Sequence, residues 1–262
     1  MDYETLLFDV RDGVAHITLN RPDAANSLNM AMARDFHAAS IRCDVDPEIR
    51  VVLMTGTGSM FCAGGDLKSF VSQEAELPAH LKEVTTYLHA GISRFSWMDP
   101  PFIAAVNGTA AGAGMSLVCA TDLAIAARSA VFTMAYTRAG LVPDGSSTYY
   151  LSRHVGLHRA MELALTNRVL TADEACDWGI VNQVVDDDEL EEAAGSLAAK
   201  LAAGPTASFG ATKRLILEGT TEGLENQMER ETRCIAAAAG SEDGREGVQA
   251  FLDKRKPEFS GR

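Results

Sequence analysis

The sequence contains little that would point to a disordered, fibrous or membrane protein. Only 8 of its 262 residues are proline and aromatic residues make up 6%. No apolar run approaches the length that crosses a bilayer, and neither internal repeats nor low-complexity segments occur. The 47% hydrophobic and 23% charged residues are typical of a globular protein with a substantial buried core. We therefore predict a globular chain that does not act at a membrane.

Positive charge is scarce. The chain has 23 lysine and arginine residues against 36 aspartate and glutamate residues, which gives a formal net charge of −13. Such a protein repels phosphate backbones, and no basic stripe stands out that would overcome this on one face. The sequence therefore argues against nucleic acid as a partner.

Paired cysteines and metal-binding motifs are also missing. The five cysteines are widely spaced and form no C-x-x-C pair, which predicts reduced thiols in a cytoplasmic protein. The opening residues MDYE do not resemble a secretory signal peptide. His154 and His158 are four residues apart but lack an H-E-x-x-H setting, so no metal site is predicted.

The order of apolar segments predicts an α/β fold. Alternating or continuous apolar runs at 13–20, 49–55, 102–107, 123–126 and 131–134 are typical of strands. The run at 49–55 is apolar throughout, as expected of a strand covered on both faces. Helical patterns at 27–44 and 79–97 separate the strands, which favours a largely parallel sheet. From about residue 147 onward the pattern predicts almost only helices.

Two glycine-rich turns, each following a predicted strand, are the first candidates for chemistry. Residues 62–66 read CAGGD, and residues 112–114 read GAG and open a predicted helix. Small residues let a ligand approach the backbone, and free N–H groups at a helix start favour negative charge. Two such N–H groups from separate loops would form an oxyanion hole if they converged. Tight packing turns explain the glycines equally well, whereas the spacing does not match a phosphate-binding or dinucleotide-binding loop.

Four segments carry a resemblance to a known family. They read FCAGGD (61–66), IAAVNGTAAGAG (103–114), ADEACDWGIV (172–181) and REGVQAFLDKRKP (245–257). They resemble the enoyl-CoA hydratase/isomerase, or crotonase, family, and the likeness runs from residue 19 to the end of the chain. The resemblance implies a spiral of ββα units over residues 1–204, which hold the active site, and a C-terminal helical extension over 205–262 that takes part in trimerisation. It also implies a homotrimer, often paired into a hexamer.

The resemblance further implies how an acyl-coenzyme A thioester is held. The N–H groups at the matching positions, Gly65 and Ala113, would bind the thioester oxygen, and alanine keeps the N–H of the glycine that is usual there. No cofactor is expected beyond the coenzyme A of the substrate itself. Residues predicted to contact coenzyme A are Ala24, Ala63, Gly64, Asp66, Lys68, Phe251 and Lys254, of which the last two would close the site. Because Asp23 stands where many members have a cation, the phosphates are expected to depend on Arg21, Lys68 and Lys254.

Hydratases of this family use two glutamates that this sequence lacks. Ser116 and Tyr136 occupy the two positions, and neither hydroxyl exchanges protons as a carboxylate does at neutral pH. Asp144 is the candidate carboxylate instead. Aspartate is also a preferred helix N-cap, and the next residues, GSST, suit a helix start. We interpret Asp144 as catalytic because isomerases of ring-derived and unsaturated acyl-CoAs, and 4-chlorobenzoyl-CoA dehalogenases, carry an aspartate there.

Three functional hypotheses remain, of which an isomerase is favoured. In the isomerase, Asp144 carries a proton from the α-carbon to the γ-carbon of a 3-enoyl thioester while Gly65 and Ala113 stabilise the enolate. In a dehalogenase, Asp144 would attack a halogenated ring and His89 would activate water, with Tyr136 replacing that group's active-site tryptophan at the substrate. His89 is otherwise an ordinary helix-face histidine. The third hypothesis is an acyl-CoA-binding protein without catalytic activity.

Overall fold

The computed structural model describes residues 3–262. The strands are β1 (Leu6–Arg11), β2 (Val14–Leu19), β3 (Val51–Gly56), β4 (Met60–Cys62), β5 (Phe102–Val106), β6 (Thr109–Ala111), β7 (Leu123–Ala127), β8 (Val131–Thr133), β9 (Leu170–Thr171) and β10 (Gln183–Val185). The helices are α1 (Met30–Val45), α2 (Leu67–Val71), α3 (Leu77–Trp97), α4 (Ala113–Cys119), α5 (Ser147–Val155), α6 (Leu157–Thr166), α7 (Ala172–Asp177), α8 (Leu190–Ala202), α9 (Thr206–Gly219), α10 (Leu224–Gly240) and α11 (Glu242–Leu252).

The strands form two sheets that the chain visits in turn. A six-stranded sheet has the order β1-β2-β3-β5-β7-β10, and a four-stranded sheet has the order β4-β6-β8-β9. Each of β3, β5 and β7 lies in the large sheet and is followed by a strand of the small sheet and then by helices. This repeated strand–strand–helix path is the predicted spiral of ββα units. The pairings are parallel except for β1 with β2 and β8 with β9.

The large sheet is buried on both faces, as predicted for β3. One face packs on the main core, which includes Phe36 of α1 and Phe95 of α3. Side chains of β3 that point the other way, such as Val51 and Leu53, pack under the small residues of α8. Because the sheet is closed on both sides, its strands need apolar side chains at consecutive positions.

Three predictions about the elements need correction. Strand β1 was not predicted, although its residues alternate between the core and solvent. The region after residue 147 is not wholly helical, since β9 and β10 lie within it and β10 extends the large sheet beside β7. The glycine-rich turns are also preceded by short strands, β4 and β6, rather than by the long strands directly.

The C-terminal helices are attached to the rest of the chain through α9. Lys213 of α9 is buried and forms an ion pair of 2.7 Å with Asp122, which follows α4. Its ammonium group also donates to the carbonyl oxygens of Phe95 and Pro100. Helix α10 then packs on α9, and α11 packs on α10. The division into regions 1–204 and 205–262 stays a prediction.

Candidate active site

Two glycine turns meet at one edge of the small sheet. Strands β4 and β6 pair in parallel, so the turns that follow them leave the sheet at the same edge. Gly64 (φ 103°) and Gly112 (φ 51°) both adopt backbone conformations that other residues rarely reach. A Cβ on Gly64 would lie 3.0 Å from the Ala111 carbonyl oxygen and 3.4 Å from the Gly112 Cα. The two turns therefore pack backbone against backbone, which the glycines make possible.

Each turn leaves one backbone N–H available to a ligand. Leu28 donates its N–H to the Gly64 carbonyl (2.7 Å) and accepts from the Asp66 N–H (2.9 Å). Successive peptide groups of an extended chain alternate in direction, so the intervening N–H of Gly65 points the other way. Ala113 is the first residue of α4, where an N–H has no partner within the helix. Among residues 3–262, neither N–H donates a hydrogen bond.

Gly65 and Ala113 line one cavity of about 270 Å³. Its walls are mostly apolar, and many of them come from residues to which the sequence analysis assigned no role. These include Leu28, Phe70, Leu81, Val84, Leu88 and Leu141. The three α3 residues among them have the i, i+3, i+7 spacing of one helix face, a signal that was readable in the sequence. Such a cavity suits an apolar acyl group whose carbonyl oxygen meets two N–H donors.

Asp144 and Tyr136 face this cavity as a hydrogen-bonded pair. The Tyr136 hydroxyl donates to Asp144 Oδ1 over 2.6 Å. Burial raises the pKa of the Tyr136 phenol, and the negative charge of Asp144 raises it further. The phenol therefore keeps its proton and acts as a donor. Among the described residues that line the cavity, Asp144 alone carries a carboxylate.

Ser116 contacts this pair from helix α4. It is fully buried in α4, and its Oγ lies 2.9 Å from the Tyr136 hydroxyl and 3.0 Å from the Asp144 carbonyl oxygen. The resemblance placed the serine and the tyrosine at the positions of the two hydratase glutamates. In this structure both hydroxyls lie within hydrogen-bonding distance of each other and of Asp144.

The alternative interpretation of Asp144 as a helix cap is wrong. Helix α5 begins at Ser147, and the residue before it, Ser146, has a left-handed conformation and makes no side-chain cap. The Asp144 carboxylate is bonded to Tyr136 instead. Only the carbonyl oxygen of Asp144 contacts the helix start, where it accepts from the Ser147 hydroxyl (2.8 Å).

The structure does not place His89 on the wall of this cavity. The residue is exposed on α3, and its Nε2 accepts the N–H of Gly145 over 3.2 Å. Its ring lines a neighbouring cavity together with Trp97 and Tyr149. The position matches a helix-face histidine that supports the loop after Asp144, and its predicted role as a water activator is not supported by this placement.

The two segments predicted to hold coenzyme A lie side by side. Ala63 donates its N–H to the carbonyl of Ala25 over 3.0 Å, which brings the Ala24 segment against the first glycine turn. Ala63 and Gly64 line the cavity, whereas Ala24 does not. The pairing explains how both segments could contact one ligand, and that contact stays a prediction.

Asp66 and Arg21 have structural partners that the sequence analysis did not foresee. The Arg21 guanidinium forms an ion pair of 2.8 Å with Asp66 and also donates to the Ser27 carbonyl oxygen. Asp66 in turn accepts the Ser69 N–H and caps α2. Burial alone would raise the pKa of Asp66, but these donors outweigh it and the pKa is lowered. The charge of Arg21 is thus compensated within the chain, which weakens the expectation that it binds phosphate.

The remaining residues predicted to bind coenzyme A lie outside the cavity. Phe251 of α11 is 84% exposed, and Lys68 and Lys254 are exposed as well. Their side chains are accessible to a ligand or to another subunit. Their contacts with coenzyme A stay predictions.

Other kinds of chemistry find no support at this site. Burial raises the pKa of Cys62 to about 11, so this thiol beside the first glycine turn is a protonated packing residue and not a nucleophile. All five cysteines are free. Within residues 3–262, no group of three or more potential metal ligands occurs, and no helix has the length and apolar character needed to span a membrane.

Known proteins are similar to this chain over most or all of its length. Residues 9–262 match the family described as enoyl-CoA hydratase/isomerase. The chain is 41% identical over 263 residues to a "probable enoyl-CoA hydratase" of Rhodobacter capsulatus, with full coverage of both. It is also 41% identical over 260 residues to the 1,2-epoxyphenylacetyl-CoA isomerase of Escherichia coli, covering 99% of each. A 4-chlorobenzoyl coenzyme A dehalogenase of an Arthrobacter species is 36% identical over 244 residues, which cover 93% of this chain and 88% of the dehalogenase.

A solved structure also has the same fold as this chain. The crystal structure of an enoyl-CoA hydratase from Polaromonas sp. JS666 matches with a TM-score of 0.93 at 33% sequence identity, over 97% of this chain and 99% of that one. This likeness holds for the whole spiral, including the C-terminal helices. The chain therefore belongs to the enoyl-CoA hydratase/isomerase family.

Proposed function

We propose that the protein is an enoyl-CoA isomerase that moves a double bond in an acyl-CoA thioester, with Asp144 as its proton carrier. The observation that carries this proposal is the single carboxylate, Asp144, on a cavity that also presents the two free N–H groups of Gly65 and Ala113. A hydratase needs one group to activate water and another to protonate carbon. With Ser116 and Tyr136 at the glutamate positions, the described residues of the cavity do not offer two carboxylates.

One carboxylate is sufficient for the isomerase. The α C–H bond of a 3-enoyl thioester breaks, its proton binds to Asp144, and the electron pair enters an enolate whose oxygen is held by Gly65 and Ala113. The enolate then takes the same proton at its γ-carbon, and the double bond comes to lie between the α- and β-carbons. No cofactor is needed beyond the coenzyme A of the substrate, and the relative named 1,2-epoxyphenylacetyl-CoA isomerase supports isomerisation of a CoA thioester.

Dehalogenation is the second candidate because one relative carries that name. The exposed position of His89 and its bond to Gly145 argue against it, since water activation requires a base at the substrate. The third candidate is a protein that binds the thioester but has no catalytic activity. The intact pair of N–H donors and the cavity carboxylate favour an enzyme over this reading.

The decisive experiment compares the wild-type enzyme with Asp144→Asn on 3-hexenoyl-CoA and follows formation of the conjugated 2-enoyl thioester by absorbance. Asparagine keeps the size of the side chain and can still accept from Tyr136, but it cannot take up a proton. We expect the variant to lose activity by a factor of about 10³ or more, within the range for a removed general base, and to bind the thioester nearly as well as the wild type.

Two control measurements separate the alternatives. His89→Asn should keep most isomerase activity, whereas a dehalogenase would need this histidine. Release of halide from 4-chlorobenzoyl-CoA by the wild type, without any conjugation of 3-enoyl thioesters, would contradict the proposal in favour of dehalogenation. Thioester binding without turnover on either substrate would favour the catalytically silent protein.

A further inference from the structure

We infer that Tyr136 is a positioning residue, supported by Ser116, that fixes one oxygen of Asp144 so that the other oxygen performs both proton transfers. This inference rests on the proposed isomerase function. At the two positions that hold glutamates in hydratases of the family, this protein has residues that hold a third residue, Asp144, in place. Neither hydroxyl needs to exchange a proton during turnover.

The hydrogen bonds divide the two carboxylate oxygens between different tasks. Oδ1 accepts the Tyr136 hydroxyl over 2.6 Å. Within the described chain, no side chain or backbone N–H donates to Oδ2. Since a suprafacial shift needs a single acceptor that can reach both the α- and the γ-carbon, the unbonded Oδ2 is the atom suited to it. It takes the proton from the α-carbon and returns it to the γ-carbon.

The Ser116 hydroxyl is the second neighbour of the Tyr136 hydroxyl. A phenol has one hydrogen, and Tyr136 donates it to Asp144 Oδ1 over 2.6 Å. A hydrogen bond between Ser116 and the phenol oxygen, 2.9 Å apart, therefore has the serine as its donor. The carbonyl oxygens of Asp144 (3.0 Å) and Gly112 (3.2 Å) also lie within reach of this hydroxyl, so its one hydrogen is shared among three acceptors that join the loop of Asp144 to the start of α4.

The backbone of this region is held in conformations that cost energy. Ala135, just before Tyr136, has φ 53°, and Ser146, two residues after Asp144, has φ 66°. Non-glycine residues with such angles are uncommon and cluster at functional sites. Both ends of the hydrogen-bonded pair are therefore set by strained turns, as expected if the pair needs a defined geometry.

The titratable groups near Asp144 are few. Of the described residues that line the cavity, only Tyr136 titrates besides Asp144 itself. His89 of α3 reaches the neighbouring peptide through the Gly145 N–H, and Ser116 of α4 does not ionise at any accessible pH. The Tyr136 hydroxyl is the one described side chain that donates to the Asp144 carboxylate.

The test measures kcat and KM of Tyr136→Phe and Ser116→Ala on a 3-enoyl thioester between about pH 5 and 9. A hydrogen bond to a charged group contributes about 1.5–3 kcal/mol, so Tyr136→Phe should lower kcat about 10- to 100-fold. KM should change less than about twofold, since no contact with the coenzyme A part is lost. Ser116→Ala should show smaller changes in the same direction.

Tyr150→Phe is the matched control. The Tyr150 hydroxyl lies 2.9 Å from the Ser96 Oγ, so this variant also removes a phenol–serine hydrogen bond, but at the neighbouring cavity. It should keep the wild-type kcat. If Tyr136→Phe also keeps the wild-type kcat, or if Tyr150→Phe lowers kcat equally, the inference is overturned.

A measurement without substrate keeps the inference separate from the proposed function. Urea unfolding of Tyr136→Phe, Asp144→Ala and the double variant forms a double-mutant cycle, since neither single variant can make the hydrogen bond. Coupling that changes the unfolding equilibrium constant by at least about threefold supports the bonded pair even if no 3-enoyl thioester is isomerised. Additive effects would overturn the inference, whereas inactivity of the wild type on all enoyl thioesters would overturn only the proposed function.

Discussion

Gly114 is the residue at which the candidate active site tolerates the least change. A Cβ at this position would overlap the carbonyl oxygen of Cys62 and lie 2.8 Å from its Cβ. Gly114→Ala must therefore push the start of α4 away from β4, and with it the Ala113 N–H. We expect a loss of about 1–3 kcal/mol in the free energy of unfolding from this overpacking. We also expect kcat to fall about 10²-fold, as when one oxyanion donor is lost.

The control is the same substitution in another helix. Gly195 lies within α8, and a Cβ there would meet nothing within 4 Å. Gly195→Ala should stabilise the protein by up to about 1 kcal/mol, since alanine is the better helix former, and should leave kcat unchanged. Urea unfolding and steady-state kinetics measure both effects. Similar behaviour of the two variants would show that the contact with Cys62 does not matter.

Residue by residue, the sequence could predict which groups form the site but not how they are joined. Gly65, Ala113 and Asp144 follow from motifs, and the structure brings all three to one cavity. Ser116 was recognised only as a missing glutamate, and Tyr136 as a missing glutamate and the replacement of a tryptophan at the substrate. The bond between them spans 20 residues and depends on the tertiary fold. Positioning of this kind leaves no local pattern in a sequence.

At the scale of elements, α9 depends on one buried ion pair. Burial lowers the pKa of Lys213 and raises that of Asp122, and the opposite charge of each partly offsets this. Lys213→Met would leave the buried Asp122 carboxylate without its charged partner, while the Phe102 N–H still donates to it, so we expect a loss of about 3–5 kcal/mol in the free energy of unfolding. Urea unfolding measures the loss.

The pH dependence provides a check on this explanation. A carboxyl whose pKa is higher in the folded than in the unfolded protein stabilises the fold as it takes up a proton. The deficit of Lys213→Met should therefore shrink as the pH falls. Adding Asp122→Asn should recover part of the loss at neutral pH. A deficit that is independent of pH would mean that lost packing of the lysine stem, and not the charge, is the cause.

The length of an element largely explains whether the sequence could predict it, with the six-residue strand β1 as an exception. The long helices α1 and α3 and the apolar strands β3 and β5 lie where their patterns indicate. Strands β9 and β10, with two and three residues, are too short for any alternation to be read. Their positions are set by pairing with β8 and β7, which is a property of the assembled sheet.

For the molecule as a whole, we expect assembly into a homotrimer or hexamer. Helix α6 presents Leu157, Met161 and Leu165 at four-residue intervals, with exposures of 72%, 58% and 69%. An apolar row of this kind on one helix face is typical of an interaction surface. Met161→Glu would place a charge in that row, so it should shift the protein to smaller species in analytical ultracentrifugation. Val45→Glu, at an exposed apolar position of α1, is the control and should keep the wild-type assembly. A monomeric wild type would contradict the expectation.

The groups proposed to hold the thioester oxygen belong to the main chain, and this has a consequence for the evolution of such proteins. Side-chain mutations do not delete the N–H groups of Gly65 or Ala113, whereas single codon changes readily alter the side chains at 116, 136 and 144, which lie on three separate segments. A lineage can therefore exchange one reaction for another while it keeps its hold on the thioester throughout. If thioester binding is inherited while the catalytic side chains are replaced, relatives should differ in their reactions. The relatives named for hydration, isomerisation and dehalogenation agree with this.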